Sequence, residues 1–261
     1  MESSPFAIKP LNPFGAQVVG LDLHGAVSEA GRETLREAFS EHALLLFRDQ
    51  ALDKDDLLRV ADIFGKVSEQ GEAPGGFNYV SNLHPRGLTA AGEMILAAGD
   101  GELQFHFDHC FQENVLKAIL LYGVEVPPSG GDTLFSDMRI VTRQLPAEIR
   151  ERIDDKIIRH KSDTRAGCPQ ADHPVMYPHP RTGERVLFFS KLHARQILGL
   201  SVEESQTLFQ RFIPMIENKD IMYRHVWRPR DLVVWDNLAL QHSRETFDPK
   251  YRRHLQRLQI D

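Results

Sequence analysis

Cysteine is nearly absent: Cys110 and Cys168 are the only two in 261 residues. So few, and in no C-x-x-C spacing, exclude a disulfide framework and a thiolate metal cluster, and they fit a reduced, cytoplasmic setting. No apolar run approaches the roughly 20 residues that span a bilayer. The opening Met1-Glu2-Ser3-Ser4-Pro5 lacks the basic-then-apolar order of a secretion signal. Positive charge is also scarce. Lys and Arg number 31 against 37 Asp and Glu, a net charge of −6 with histidines neutral, which leaves no basic footprint for nucleic acid. No segment recurs at a period of about 20 to 50 residues, so solenoids and propellers are excluded. With 41% hydrophobic and 26% charged residues, the chain is neither disordered nor fibrous. The expectation is one globular domain over residues 1–261, long for a single unit but within the range of β-sandwiches and barrels, acting on a small-molecule partner.

What is present reads as many short strands with a few helices. Extended pieces at Phe6–Ile8 and Ala16–Leu23 are punctuated by Pro10, Pro13 and Gly15. Ser28 caps a helix that carries Leu35, Ala38 and Phe39 on one face. A buried strand, Ala43–Phe47, follows, then an amphipathic helix from Asp53 to Phe64 closed by Gly65. After the Gly- and Pro-rich stretch Gln70–Gly76, a strand is predicted over Phe77–Asn82. Leu83–Gly101 has no clear period and is expected to be a loop forming part of a pocket lid. The apolar run Val115–Val126 ends at Pro127-Pro128. Short helices are predicted within residues 137–153, the second begun by Pro146 at a first helical position. Lys156–His160 is extended, Asp163–Pro180 irregular, and Arg185–Phe189 a strand. Two helices are then expected, at Leu192–Leu198 and at Ser201–Glu217, the latter opened by the capping box of Ser201 and Glu204. Strands at Tyr223–Trp227, Leu232–Asp236 and Arg253–Ile260 close the chain.

The chemistry is organised around Phe105 to Met138. In an extended strand alternate side chains share a face, so His106 and Asp108 project an imidazole and a carboxylate to one side. The common iron(II) oxygenase site is two histidines and one carboxylate, with open positions left for cosubstrate and oxygen. A lone His-X-Asp arises often by chance, and a second histidine must come from elsewhere; His242 is the candidate. Arg253 and Arg257 follow it by 11 and 15 positions. A planar guanidinium binds a carboxylate in bidentate fashion, as the far end of a dicarboxylate cosubstrate requires. Positions 253 and 257 share a parity, so both face one side of a strand. Twelve histidines in all mean that most are not ligands.

Together, Gly15–Leu23, Phe105-His106-Phe107-Asp108, Val126–Thr133, Trp235-Asp236-Asn237, Gln241-His242 and the closing arginines resemble the taurine dioxygenase-like family of iron(II)- and 2-oxoglutarate-dependent oxygenases. The likeness covers almost the whole chain. It implies a mainly β fold with flanking helices, a double-stranded β-helix or jelly-roll core. It implies that His106, Asp108 and His242 hold Fe(II), and that Thr133 and Arg253 bind the distal carboxylate of 2-oxoglutarate. Arg257, the second family arginine, lies near the iron and meets an anionic group of the substrate. Asn82 and Gln104 fall near the expected mouth as substrate contacts, and His109, directly after the ligand strand, is a further candidate for the pocket lining. The reaction implied couples O2 and the decarboxylation of 2-oxoglutarate to succinate and CO2 with oxidation of a C–H bond in a small anionic molecule. Since Asp108 is present where related halogenases carry a small residue, hydroxylation is favoured, with desaturation or another oxidative tailoring step as the alternative. The segment Arg159–Pro174 is shorter than the lid of better-known members, and self-association, common in the family, is left open. Two rival readings are a zinc hydrolase on the same residues and a β-barrel binding protein without turnover.

Overall fold

In the computed structural model, residues 6–69, 77–83 and 99–261 are described, together with the backbone of 87–88 and 94–97. The Gly- and Pro-rich stretch 70–76 and His84 lie outside the described residues. The chain opens with β1 (Ala7–Pro10), β2 (Ala16–Val19), α1 (Glu29–His42), β3 (Leu44–Phe47) and α2 (Lys54–Phe64). Both helices start where side-chain acceptors meet orphan amides. Ser28 Oγ accepts the Gly31 N–H, and Asp53 and Asp56 cap each other's backbone reciprocally. Then come β4 (Phe77–Ser81), β5 (Gly87–Leu88), β6 (Met94–Ala97), β7 (Leu103–His106), β8 (Ala118–Glu125) and β9 (Thr133–Asp137). The middle holds α3 (Met138–Arg143), α4 (Ala147–Ile153), β10 (Ile157–Lys161), β11 (Gln170–Pro174), β12 (Met176–Pro178), β13 (Arg185–Leu187), β14 (Ala194–Ile197) and α5 (Val202–Ile216). Last are β15 (Met222–His225), β16 (Leu232–Asp236), β17 (Leu240–Arg244) and β18 (His254–Ile260).

A nine-stranded sheet, β1-β2-β3-β16-β8-β18-β4-β6-β5, faces a four-stranded one, β15-β9-β17-β7. Alternation along the central strands sorts side chains into two cores. Leu120, Tyr122, Leu232 and Val234 pack outward under α1 and α2. Ile119, Leu121, Val233 and Trp235 point inward, where they meet Phe135 and Leu240 of the smaller sheet. A third core, including Met138, Phe188, Phe189 and Phe212, covers that sheet's outer face with α3, α4, α5 and the β10–β14 strands. The result is a mainly β, jelly-roll sandwich with helices outside, as expected. Among the described residues no helix is long and apolar enough to cross a membrane.

Four local expectations are corrected. Leu192–Leu198 is not helical: β14 pairs antiparallel with β10, and Ala194 and Ile197, three apart, are both buried because the register shifts between Arg159 and His160. That irregular pairing imitates a helical spacing over a segment too short for propensity to decide. Asp163–Pro180 contains β11 and β12; the inward positions of β11 are Ala171 and His173, a period of two that carries little hydrophobicity. Leu83–Gly101 contains β5 and β6, with β6 parallel to β4. Pro146 is the N-cap of α4, one position before its first helical residue.

Candidate metal and cosubstrate site

β7 ends at His106, and Asp108 sits in the turn that follows, so simple strand alternation does not by itself aim the carboxylate. Asn237 does. Its Oδ1 accepts the Asp108 N–H at 3.0 Å, and its Nδ2 donates to the carbonyls of Asp108 at 2.9 Å and Leu116 at 3.0 Å. His109, next in the turn, has φ of +57°. The second histidine arrives by sheet pairing: β17 lies antiparallel to β7 with His242 opposite His106, and their ring centroids are 4.2 Å apart.

His106, Asp108 and His242 each offer one ligand atom, and these atoms all lie within 4.8 Å of one another. His106 Nδ1 carries its proton, since it donates to the Gln104 carbonyl at 2.8 Å. Its Nε2 lone pair is therefore free and stands 3.3 Å from Asp108 Oδ1. His242 Nε2 is 4.0 Å from that same oxygen. Burial, with His106 beside it, holds His242 at about 3, so its ring is neutral. Burial works against the charge of Asp108, yet Arg257 and the two histidines keep its carboxyl well below the usual carboxylate range. Arg257 Nη1 donates to Asp108 Oδ2 at 2.7 Å. One carboxylate oxygen thus faces both imidazoles while the other is held by a guanidinium. Two imidazole nitrogens and one carboxylate oxygen converging in a buried space fit a divalent iron ion.

Away from the triad, on the same face, Thr133 opens β9. Its Oγ1 accepts the Trp227 Nε1–H at 2.9 Å, which leaves the hydroxyl proton to donate elsewhere. Arg253, just before β18, is buried, and its Nε donates to the Gly131 carbonyl at 3.0 Å. Gly131 has φ of +67°, and a Cβ there would meet Arg253 Cδ at 3.1 Å. The Gly130-Gly131 turn is thus shaped to the arginine. Burial, with the like charge of Arg244, brings Arg253 down to about 9. Among the described residues no carboxylate lies within ion-pair distance of it. Asp132, the acid whose charge acts on it from a distance, is paired with Arg224 at 2.8 Å.

The remaining candidates are placed as follows. Asn82 is spent on backbone: Oδ1 accepts the Arg253 N–H at 2.8 Å and Nδ2 donates to the Tyr251 carbonyl at 2.9 Å, which fixes the entry to β18. Gln104 serves His106 through its carbonyl, and its side chain is exposed. His109 Nε2 accepts from Gln259 at 3.0 Å, and its ring lies beside Phe111. Four contributors escaped sequence reading: Trp227, Arg244, Phe111 and His193. The His193 ring stands 5.9 Å from His106 and 5.0 Å from Phe111, and its Nδ1 donates to the Lys161 carbonyl at 3.0 Å. Burial and His106 hold it at about 4. Only the turn that leads into β14 brings it there, and no motif marks it.

A profile of the taurine catabolism dioxygenase TauD, TfdA family matches residues 7–259. The chain belongs to that family. It is 30% identical to the alpha-ketoglutarate-dependent 2,4-dichlorophenoxyacetate dioxygenase of Cupriavidus pinatubonensis, over 95% of each chain. It is 29% identical to pentalenolactone F synthase of Streptomyces avermitilis, over 95% of this chain and 91% of that protein. Among solved structures, AAD-2 in complex with Mn(II) and N-oxalylglycine superposes with a TM-score of 0.83 at 25% identity, covering 98% of this chain and 96% of that one. As a TauD, TfdA family member the chain is an iron(II)- and 2-oxoglutarate-dependent dioxygenase, using O2 as the second cosubstrate.

Proposed function

We propose that His106 Nε2, His242 Nε2 and Asp108 Oδ1 hold the iron, and that Arg253 and Thr133 bind the distal carboxylate of 2-oxoglutarate. We propose further that the enzyme hydroxylates a C–H bond of a small anionic organic molecule. The observation that carries the reading is the division of labour at Asp108: Oδ1 faces the two imidazoles while Oδ2 is occupied by Arg257. A carboxylate so restrained ligates through one oxygen and leaves coordination positions open. When bound, iron with 2-oxoglutarate and O2 supplies the oxidising power and releases succinate and CO2. The protein's own residues do the rest. The Gln104 carbonyl fixes the His106 tautomer, Asn237 fixes the Asp108 backbone, and Trp227 orients the Thr133 hydroxyl. His193 stands beside His106, Phe111 beside His193 and His109 beside Phe111, and this row of rings offers an aromatic wall to a substrate. An anionic substrate is supported by Arg257, whose Nε has no partner, and by the carboxylate that the related 2,4-dichlorophenoxyacetate dioxygenase acts on. Two free cysteines support a cytoplasmic setting, and the family match along the chain supports a single unit.

The test is oxygen-dependent succinate release from 2-oxoglutarate across a panel of sulfonates, amino acids and aryloxyacids. One anionic class is expected to stimulate release and to gain one oxygen, with His106→Ala inactive. Metal-dependent hydrolysis without O2, or no succinate with any member, contradicts the reading.

A further inference from the structure

Near the cosubstrate end of the site three arginines and two acids are unequally shared. Arg224, whose side chain is 56% exposed, takes both acids: Asp132 at 2.8 Å and Glu245 at 2.7 Å. Arg253, 2% exposed, and Arg244, 8% exposed, are left with none within ion-pair distance among the described residues. Arg244 sits on β17 directly opposite Thr133 of β9, and two positions from His242 in regular register with β9. Cross-strand partners share a sheet face, so Arg244 projects on the side that carries Thr133 and His242, toward Arg253 from the other sheet. Phe247 lies between them. The position of a Gly131 Cβ is 3.3 Å from its ring and 3.1 Å from Arg253 Cδ, and Arg244 Cζ is 5.8 Å from its centroid. Arg244 spends one Nη2 donor on the Gly101 carbonyl at 2.5 Å. Its Nε–H is buried and has no partner.

Two buried guanidiniums on either side of Phe247, neither with a carboxylate within ion-pair distance among the described residues, are costly unless an anion completes them. Resting on the 2-oxoglutarate site proposed above, we propose that Arg244 is a second cationic contact for the distal carboxylate, and that it sets the preference for a dicarboxylic over a monocarboxylic 2-oxoacid. A carboxylate presents about four lone-pair directions. A bidentate Arg253, the Thr133 hydroxyl and one Arg244 N–H use them all.

The test is calorimetric and needs no turnover. Protein loaded with Mn(II) is titrated anaerobically with 2-oxoglutarate and with 2-oxovalerate, which lacks the distal carboxylate. In Arg244→Gln the affinity for 2-oxoglutarate is expected to fall about tenfold, the worth of one hydrogen bond to a charged group, while that for 2-oxovalerate stays within twofold. Arg244→Lys, which keeps the charge, is expected to retain most of the preference. If the glutamine variant does not fold, Arg244→Met keeps the apolar stem against Phe247 and is expected to show the same selective loss. Equal weakening toward both acids, or none, overturns the role of Arg244 and leaves the site intact. A wild-type protein that binds Mn(II) but neither oxoacid overturns the site itself, and the role of Arg244 with it.

Discussion

Removing Asn237 leaves three buried backbone groups without partners: the N–H and carbonyl of Asp108 and the carbonyl of Leu116. Asn237→Ala is expected to cost about 2–4 kcal/mol and to weaken metal binding by roughly ten- to a hundredfold. Thermal unfolding and a Mn(II) titration measure the two. Gly131 is held at positive φ against Arg253. Gly131→Ala is expected to destabilise by about 1–2 kcal/mol and to raise the KM for 2-oxoglutarate while leaving metal affinity unchanged, which separates the two ends of the site. At this scale the sequence is legible where a residue must be one chemical type. His106, Asp108 and His242 are readable as candidate ligands because few side chains bind iron. Trp227 and Arg244 are not, since an indole capping a threonine and an arginine paired with no acid look in sequence like any core tryptophan or surface cation. Asn237 reads as a turn amide, and only the fold brings it to Asp108 across 129 positions.

Elements whose termini carry their own chemistry are the ones the sequence announces. The reciprocal box at Ser201 and Glu204 starts α5 as expected, with Ser201 Oγ accepting the Glu204 N–H at 3.1 Å and Glu204 accepting the Ser201 N–H at 2.9 Å. Ser201→Ala is expected to lower stability by about 1 kcal/mol, read from the urea midpoint. β14 and β11 are silent by contrast. Their positions are fixed by antiparallel partners on β10, and a four- or five-residue strand with His, Ala and Arg in it has no hydrophobic signature to read. His193, in the turn just before β14, is anchored to the end of β10 through Lys161 and stands beside His106.

For the whole molecule, buried histidines set a pH limit. His160 is fully buried; burial, with His173 and His193 nearby, holds it well below the ordinary value of about 6.5. His193 is held at about 4. Between the folded and unfolded values the unfolded chain binds more protons, so this stability is fully present above about pH 6.5 and is lost as pH falls. For His193 alone the loss by pH 5 is on the order of 2 kcal/mol. Urea midpoints of metal-free protein are expected to drop between about pH 7.5 and pH 5, and His193→Gln is expected to flatten the drop. The two-sheet architecture matters to the candidate site through β17, which sets His242 opposite His106 and Arg244 opposite Thr133 from one strand.

The account depends on three side chains gathering on one iron ion with positions left for 2-oxoglutarate, and anaerobic absorption spectroscopy tests that most directly. Wild-type protein given Fe(II) and 2-oxoglutarate without oxygen is expected to develop a visible metal-to-ligand charge-transfer band, which His242→Ala and Asp108→Ala lack. A wild-type spectrum with no such band, or a band of equal strength in both variants, contradicts it.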